Sequence, residues 1–242
     1  MITIHNLKKV FGEKTAVDIS ELQIPSGEIV GLVGNNGAGK TTLFRLFLDL
    51  LKADDGNVLL EVDNPQTGQH ETINPAESEA WKTVTGAYID EGFLIDFLTP
   101  EEYFEFIGKV SGMTADEIAQ RQQDFEPFMA GEILNQQKYI RNLSAGNKQK
   151  VGIIAALFNH PQLVILDEPF NFLDPSSQIL LKKTITDYSQ KTGATILISS
   201  HNLQHTIDIS TRIILMEHGK LMKDLPNDNG SATQELERYF MV

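Results

Sequence analysis

The chain has 242 residues, 41% of them hydrophobic, with 33 acidic against 20 basic residues and a net charge of -13. That length and apolar content suffice for one large or two small cored domains and exclude a disordered or fibrous chain. The surplus of negative charge argues against a nucleic-acid partner, and the absence of cysteine excludes disulfides, thiolate metal sites and cysteine nucleophiles.

In chain order, residues 1–9 lack the apolar run of a signal peptide and read as a cytosolic strand. A β-rich start, with turn signals at Gly12 and at Pro25, Ser26 and Gly27, leads into an apolar strand over 28–33. A helix is predicted over 41–51, where Leu43, Phe44, Leu46, Phe47, Leu50 and Leu51 fall at helical spacing. The stretch 54–85 is dense in Asn, Pro, Gly and Glu and reads as the most loop-like part of the chain, whereas 100–143 turns helical. Two apolar runs, 163–167 and 194–199, separated by a helix, have the composition of buried parallel strands. Ser231 and Gln234 have the spacing of a capping box opening a final short helix. No apolar run, 151–158 included, reaches the roughly 18 residues of a membrane span, so contact with a membrane is expected only through a partner. The order of elements is that of an α/β fold.

Gly34, Asn35, Asn36, Gly37, Ala38, Gly39, Lys40 and Thr41 match the phosphate-loop pattern G-x-x-x-x-G-K-[ST], between a predicted strand and a predicted helix. The glycines let the backbone aim successive N–H groups inward, the helix N-terminus adds partial positive charge, and Lys40 reaches the β- and γ-phosphates. Thr41, followed by Thr42, offers a hydroxyl to Mg²⁺. Alone, the loop implies only a nucleoside triphosphate. The run Leu163, Val164, Ile165, Leu166 ends in Asp167 and Glu168, two carboxylates at the C-terminal end of a buried strand. Asp167 is the expected Mg²⁺ ligand, and Glu168 the group that orients or deprotonates the attacking water.

Leu143, Ser144, Ala145, Gly146, Asn147, Lys148, Gln149 and Lys150, shortly before the Asp-Glu strand, resemble the signature motif of ABC ATPases. The rest of that family's pattern follows in order: an aromatic at Phe11, then Asn171, Phe172, Leu173 and Asp174 after Glu168, then Ser199, Ser200 and His201. The resemblance spans 1–242. It implies a phosphate-loop core of the ABC type, about 1–86 and 159–242, with an N-terminal antiparallel β subdomain and a helical insertion at about 87–158. It also implies that Phe11 stacks on adenine and that His201 contacts the γ-phosphate. Ser144 and Gly146, at a helix N-terminus, form an anion site with no phosphate of its own; the resemblance pairs it with the ATP of a second cassette, with Asp174 across the dimer seam. The remaining histidines match no motif.

The sequence departs from the family at two places. The family's usual glutamine between core and helical insertion, which lines Mg²⁺ and faces the transmembrane partner, aligns with Asp90, a carboxylate one methylene shorter. In the signature, Ala145 and Asn147 stand where Gly and Gln are common; both departures resemble exporters of drugs and peptide antibiotics. The expectation is an ATP-hydrolysing subunit of an ABC exporter, cytoplasmic and peripheral on the inner face of the membrane, bound to separately encoded permease subunits and dimerising on ATP. The alternative is a soluble single-cassette ATPase acting on a non-membrane scaffold. A binding module that no longer hydrolyses conflicts with Lys40, Asp167, Glu168 and His201 occurring together.

Overall fold

In the computed structural model, which describes residues 1–63 and 68–240, β1 (Ile2–Phe11) and β2 (Lys14–Ile24) form an antiparallel hairpin. Gly12 and Glu13 make a two-residue turn, with Gly12 at φ 59°, and Phe11 pairs with Lys14 across it. That pairing places an aromatic ring and an ammonium side by side at the hairpin tip. The next strand, β3 (Ile29–Val33), is buried at every residue, the pattern of a central parallel strand. Helix α1 (Lys40–Phe47) follows the glycine-rich loop. It stops short of the predicted 51 because Asp49 turns left-handed at φ 47°, which ends the helical ladder.

The stretch predicted as loop at 54–85 carries strands instead. They are β4 (Asp55–Asp63), β5 (His70–Ile73) and β6 (Thr85–Tyr88); residues 64–67 lie outside the described part. In β4 the residues Val58, Leu60 and Val62 are buried at every second position, with the partly buried Leu59 and Glu61 between them, a period-2 signal that the surrounding turn-forming residues mask. The helices α2 (Pro100–Val110), α3 (Ala115–Asp124), α4 (Glu126–Met129) and α5 (Ala145–Leu157) follow. Thr99 with Glu102, and Thr114 with Glu117, close capping boxes at the starts of α2 and α3.

The chain then alternates β7 (Leu163–Leu166), α6 (Pro175–Thr192), β8 (Thr195–Ser200), α7 (Leu203–Ile207), β9 (Arg212–Glu217), β10 (Lys220–Pro226) and α8 (Thr233–Phe240). The capping box expected at Ser231 does not form. Helix α8 begins at Thr233, and the Ser231 hydroxyl donates to the Pro226 carbonyl at 3.3 Å. The buried Asn227 accepts from the Ala232 N–H at 3.2 Å and donates to the carbonyls of Ile207 and Ser210, so a tertiary contact sets this helix start.

Two sheets result, one antiparallel in the order β2-β1-β4-β5 and one in the order β10-β9-β3-β8-β7-β6. In the larger sheet β9, β3, β8, β7 and β6 run parallel and β10 antiparallel. Leu43, Phe44 and Phe47 of α1 pack between the sheets, against Ile4, Ile19 and Leu60 on one side and Leu32, Ile165 and Ile214 on the other. The opposite face of the larger sheet, through Val164, Leu166, Ile196 and Ile198, packs on Phe104, Ile154, Phe158, Leu181 and Ile185 of the helices. Helix α5 lies so close to β6 that a Cβ on Gly152 would fall 2.1 Å from the Tyr88 ring. This contact fixes the signature helix relative to the strand that leads to Asp90.

Candidate functional site

Parallel strands in an open sheet present their C-terminal ends, and the side chains beyond them, to one crevice. Here β3 leads to the phosphate loop, β7 to Asp167 and Glu168, β8 to His201, and β6 to Asp90. Gly39 caps α1 at φ 110°, and a Cβ there would stand 2.3 Å from the Ala16 carbonyl, so only glycine lets the loop close on β2. Lys40 is 6% exposed and donates to the carbonyl of Gly34 at 2.6 Å and, more weakly, to that of Asn35 at 3.4 Å. Its ammonium is 3.8 Å from Glu168 Oε1.

The Thr41 hydroxyl donates to Asp167 Oδ2 at 2.5 Å, and the Ser199 hydroxyl donates to Oδ1 of the same carboxylate. Ser199 also accepts the Glu168 N–H at 2.9 Å. Glu168 has φ 48°, a left-handed conformation that costs a non-glycine residue about 1–2 kcal/mol. It is held there from several sides, because Gln149 donates to its carbonyl at 3.1 Å while Tyr88 donates to Gln149 at 3.0 Å. Its Oε2 accepts from the His201 backbone N–H at 3.2 Å and lies 2.8 Å from His201 Nδ1. The carboxylate is therefore aimed by the backbone and ring of His201 and by the Lys40 charge.

A cleft lined by Phe11, Lys14, Ala16, Asn36, Gly37, Ala38, Gly39, Lys40, Thr41, Thr42 and Glu168 runs along the phosphate loop. Gly34 and Asn35 stand behind it and contribute carbonyls to Lys40. Phe11 is half exposed, with the Lys9 ammonium 5.5 Å from its ring centre. Lys14, missed in the sequence, is brought in by its pairing with Phe11; the two-residue spacing of the turn was the signal for it. Ser199 and Gln149 were also missed as supports, although both lie inside quoted motifs.

Ser144 caps α5, accepting the Asn147 N–H at 3.2 Å, and a Cβ on Gly146 would lie 2.8 Å from the Phe172 carbonyl. Neither Ser144 nor Gly146 lines the cleft of the phosphate loop. Asp174 caps α6, and hydrogen bonds from the Ser176 hydroxyl and the Ser177 N–H hold its carboxyl down at about 2. Asp90 lines a second cavity together with Asp167 and Glu168, accepts the Gly92 N–H at 2.8 Å and pairs with Arg45 at 3.3 Å.

Burial raises the Asp167 carboxyl above its ordinary 3.8; the Ser199 and Thr41 hydroxyls and the Lys40 charge pull it down, and Glu168 pushes it up. A raised carboxyl binds protons more readily folded than unfolded, so the ligand-free protein loses stability as pH climbs from 3.8 through the raised value, and carries the full cost at neutral pH. Asp167→Asn is expected to raise the ligand-free Tm at pH 7, because it removes the buried charge. It should also remove the fall in stability that this carboxyl contributes above pH 3.8; thermal melts of the ligand-free protein across pH measure this.

A family model described as ABC transporter matches residues 17–171. The bacitracin transport ATP-binding protein BcrA of Enterococcus faecalis is 33% identical over 225 residues, covering 93% of this chain and 69% of that protein. The tungstate uptake system ATP-binding protein TupC of Peptoclostridium acidaminophilum is 32% identical over 223 residues, covering 91% of this chain and 96% of that protein. Among solved structures, the dimeric post-hydrolysis state of the ATP-binding cassette MJ0796 bound to ADP and Pi aligns with a TM-score of 0.80 at 23% identity, over 95% of this chain and 100% of that chain; this is a likeness of fold. Phosphate loop, Asp-Glu strand end and histidine meet at one sheet edge, and the family match covers the first two of them, so the chain belongs to the ABC transporter family and is an ATP-binding, ATP-hydrolysing subunit of such a transporter.

Proposed function

We propose that this subunit drives an exporter by closing and reopening a dimer around ATP. The observation that carries the dimer is that neither Ser144 nor Gly146 lines the cleft along the phosphate loop. A helix N-terminus whose amides face no phosphate of their own chain is completed by the γ-phosphate bound to a second copy. Phe11 stacks on the adenine, the loop amides of 34–42 and Lys40 hold the phosphates, and His201 contacts the γ-phosphate. Glu168 takes the proton of the attacking water as the bond from the γ-phosphorus to the bridging oxygen breaks, giving ADP and phosphate.

Thr41 and Asp167 fit Mg²⁺. They present one hydroxyl and one carboxylate on a shared hydrogen bond, and Mg²⁺ is commonly bound by one or two protein oxygens with waters and phosphate oxygens completing its shell. When bound, the ion neutralises charge on the phosphate oxygens. Asp90, which lines the adjoining cavity with Asp167, would belong to the outer part of this set. Among the described residues no helix is long and apolar enough to cross a membrane; in this reading the motion is passed to permease subunits. We assign that contact to the helical insertion, about 87–158, and the core to 1–86 and 159–242, on the cytoplasmic side of the membrane.

The exporter reading is supported by Ala145, Asn147 and Asp90, and by the similarity to BcrA, named for bacitracin transport. TupC, named for tungstate uptake, is nearly as similar, so overall identity does not choose the direction. The test is deletion of the gene: sensitivity to peptide antibiotics or toxic amphiphiles, relieved by the wild type but not by Glu168→Gln, supports export. A growth requirement for a scarce nutrient, with no such sensitivity, refutes it.

If Asp90 links nucleotide to permease, Asp90→Ala should lower permease-stimulated hydrolysis about tenfold or more while changing ATP affinity by less than about threefold. Lys40, Thr41 and Asp167 already hold the nucleotide, and the moving loop alone loses its link. Asp90→Gln should stay active. Equal stimulated rates for wild type and Asp90→Ala, measured with the permease reconstituted, would reduce Asp90 to a surface acid.

A further inference from the structure

Four carboxylates, Asp90, Glu91, Asp167 and Glu168, line a single cavity that shares Glu168 with the cleft of the phosphate loop. A polyanion enters such surroundings only where these charges are matched. Each of the three carboxylates without a hydroxyl clamp has its own cation. Glu168 has Lys40 at 3.8 Å, Glu91 has Lys148 of α5 at 3.3 Å, and Asp90 has Arg45 of α1 at 3.3 Å. The first of these cations belongs to the phosphate loop already described. Arg45 matches no motif.

Its placement calls for a reason. The Nη2 bond to Asp90 is the hydrogen bond its guanidinium makes among the described residues, since Nε is buried without a partner. Leaving a buried donor unmade is unfavourable. The ion pair offers little in return for stability, because both side chains are almost half exposed, 43% for Arg45 and 47% for Asp90, and such pairs are weak. Fold stability therefore does not account for the pair, whereas charge matching beside a triphosphate does.

We propose that Arg45 is a positioning residue for the nucleotide. It cancels the charge of Asp90 and ties the loop after β6 to α1, the helix whose first residues, Lys40 and Thr41, hold the phosphates. The pair gives the loop, as one neutral unit, what an uncharged side chain at position 90 would give without a partner. This inference rests on the ATP site proposed above. It predicts that the harm of losing Arg45 comes from the carboxylate left behind.

The experiment is a double-mutant cycle on binding of a fluorescent ATP analogue, run in EDTA so that no metal takes part, with circular dichroism to check folding. Arg45→Ala should raise Kd about three- to tenfold, the effect of one uncompensated charge near a polyanion in partly aqueous surroundings, and the effect should shrink at high salt. Arg45→Ala with Asp90→Asn should return to within about twofold of wild type, and Arg45→Lys should bind nearly as well as wild type. If Arg45→Ala does not fold, Arg45→Gln, with and without Asp90→Asn, makes the same comparison with the side-chain stem kept. An unchanged Kd in the single variant overturns the proposal. So does equal weakness of the single and double variants, which would mean that Arg45 acts without Asp90. Failure of the wild type to bind the analogue with Mg²⁺ present, or wild-type binding by Lys40→Ala, would instead refute the ATP site itself.

Discussion

Lys40→Ala is expected to reduce ATP hydrolysis at least about a hundredfold, as removal of a preorganised charge at a developing anion does, and to weaken ATP binding. The sequence assigns Lys40 to phosphate alone, but the structure gives it a second task. Its buried ammonium bridges the Gly34 and Asn35 carbonyls and lies near Glu168, so it braces the loop and balances that carboxylate. Removing it leaves the Gly34 carbonyl without this donor and Glu168 without its nearest cation. The hydrophobic packing of α1, carried by Leu43, Phe44 and Phe47, is untouched, so the fold should persist. Steady-state turnover, binding of a fluorescent ATP analogue and circular dichroism together check this; unchanged turnover would sink the assignment of the phosphate loop.

Glu168→Gln should bind ATP yet turn over about a hundred- to ten-thousandfold more slowly, the range for loss of a positioned general base. The amide keeps the size of the side chain and an oxygen for the His201 N–H, which now donates to Oε2 at 3.2 Å. It loses the proton acceptor. Neither Asp167 nor its hydroxyl partners Thr41 and Ser199 is altered, so the nucleotide subsite stays intact. With hydrolysis blocked, the closed state has no exit, and the variant should elute as an ATP-bound dimer in size-exclusion chromatography while the ligand-free protein elutes as a monomer. Hydrolysis at the wild-type rate would remove Glu168 as the base, and an ATP-bound monomer would remove the dimer.

The chemistry was legible in the chain because phosphate binding depends on local backbone. Gly34 to Thr41, between a strand and a helix, build their cradle within one turn, so spacing alone identifies it. Asp167 and Glu168 were legible for a related reason: an apolar run fixes where its strand ends, and the next two residues emerge at the sheet edge. Local signals failed where a tertiary partner overrode them. Strand β4 looks like loop until β1 pairs with it, and the start of α8 is set by Asn227 from outside the helix rather than by Ser231.

Residue types and order thus determined the family and its nucleotide chemistry and named the candidate site residues, because each motif is a short segment of local backbone. Tertiary structure alone decided which groups support that chemistry. Ser199 clamps Asp167 from β8, Gln149 reaches Glu168 from α5, and Arg45 meets Asp90 from α1. These partners come from separate elements, 45 residues apart for Arg45 and Asp90 and 32 for Ser199 and Asp167, and only the folding of the sheet and its helices brings them within hydrogen-bond reach.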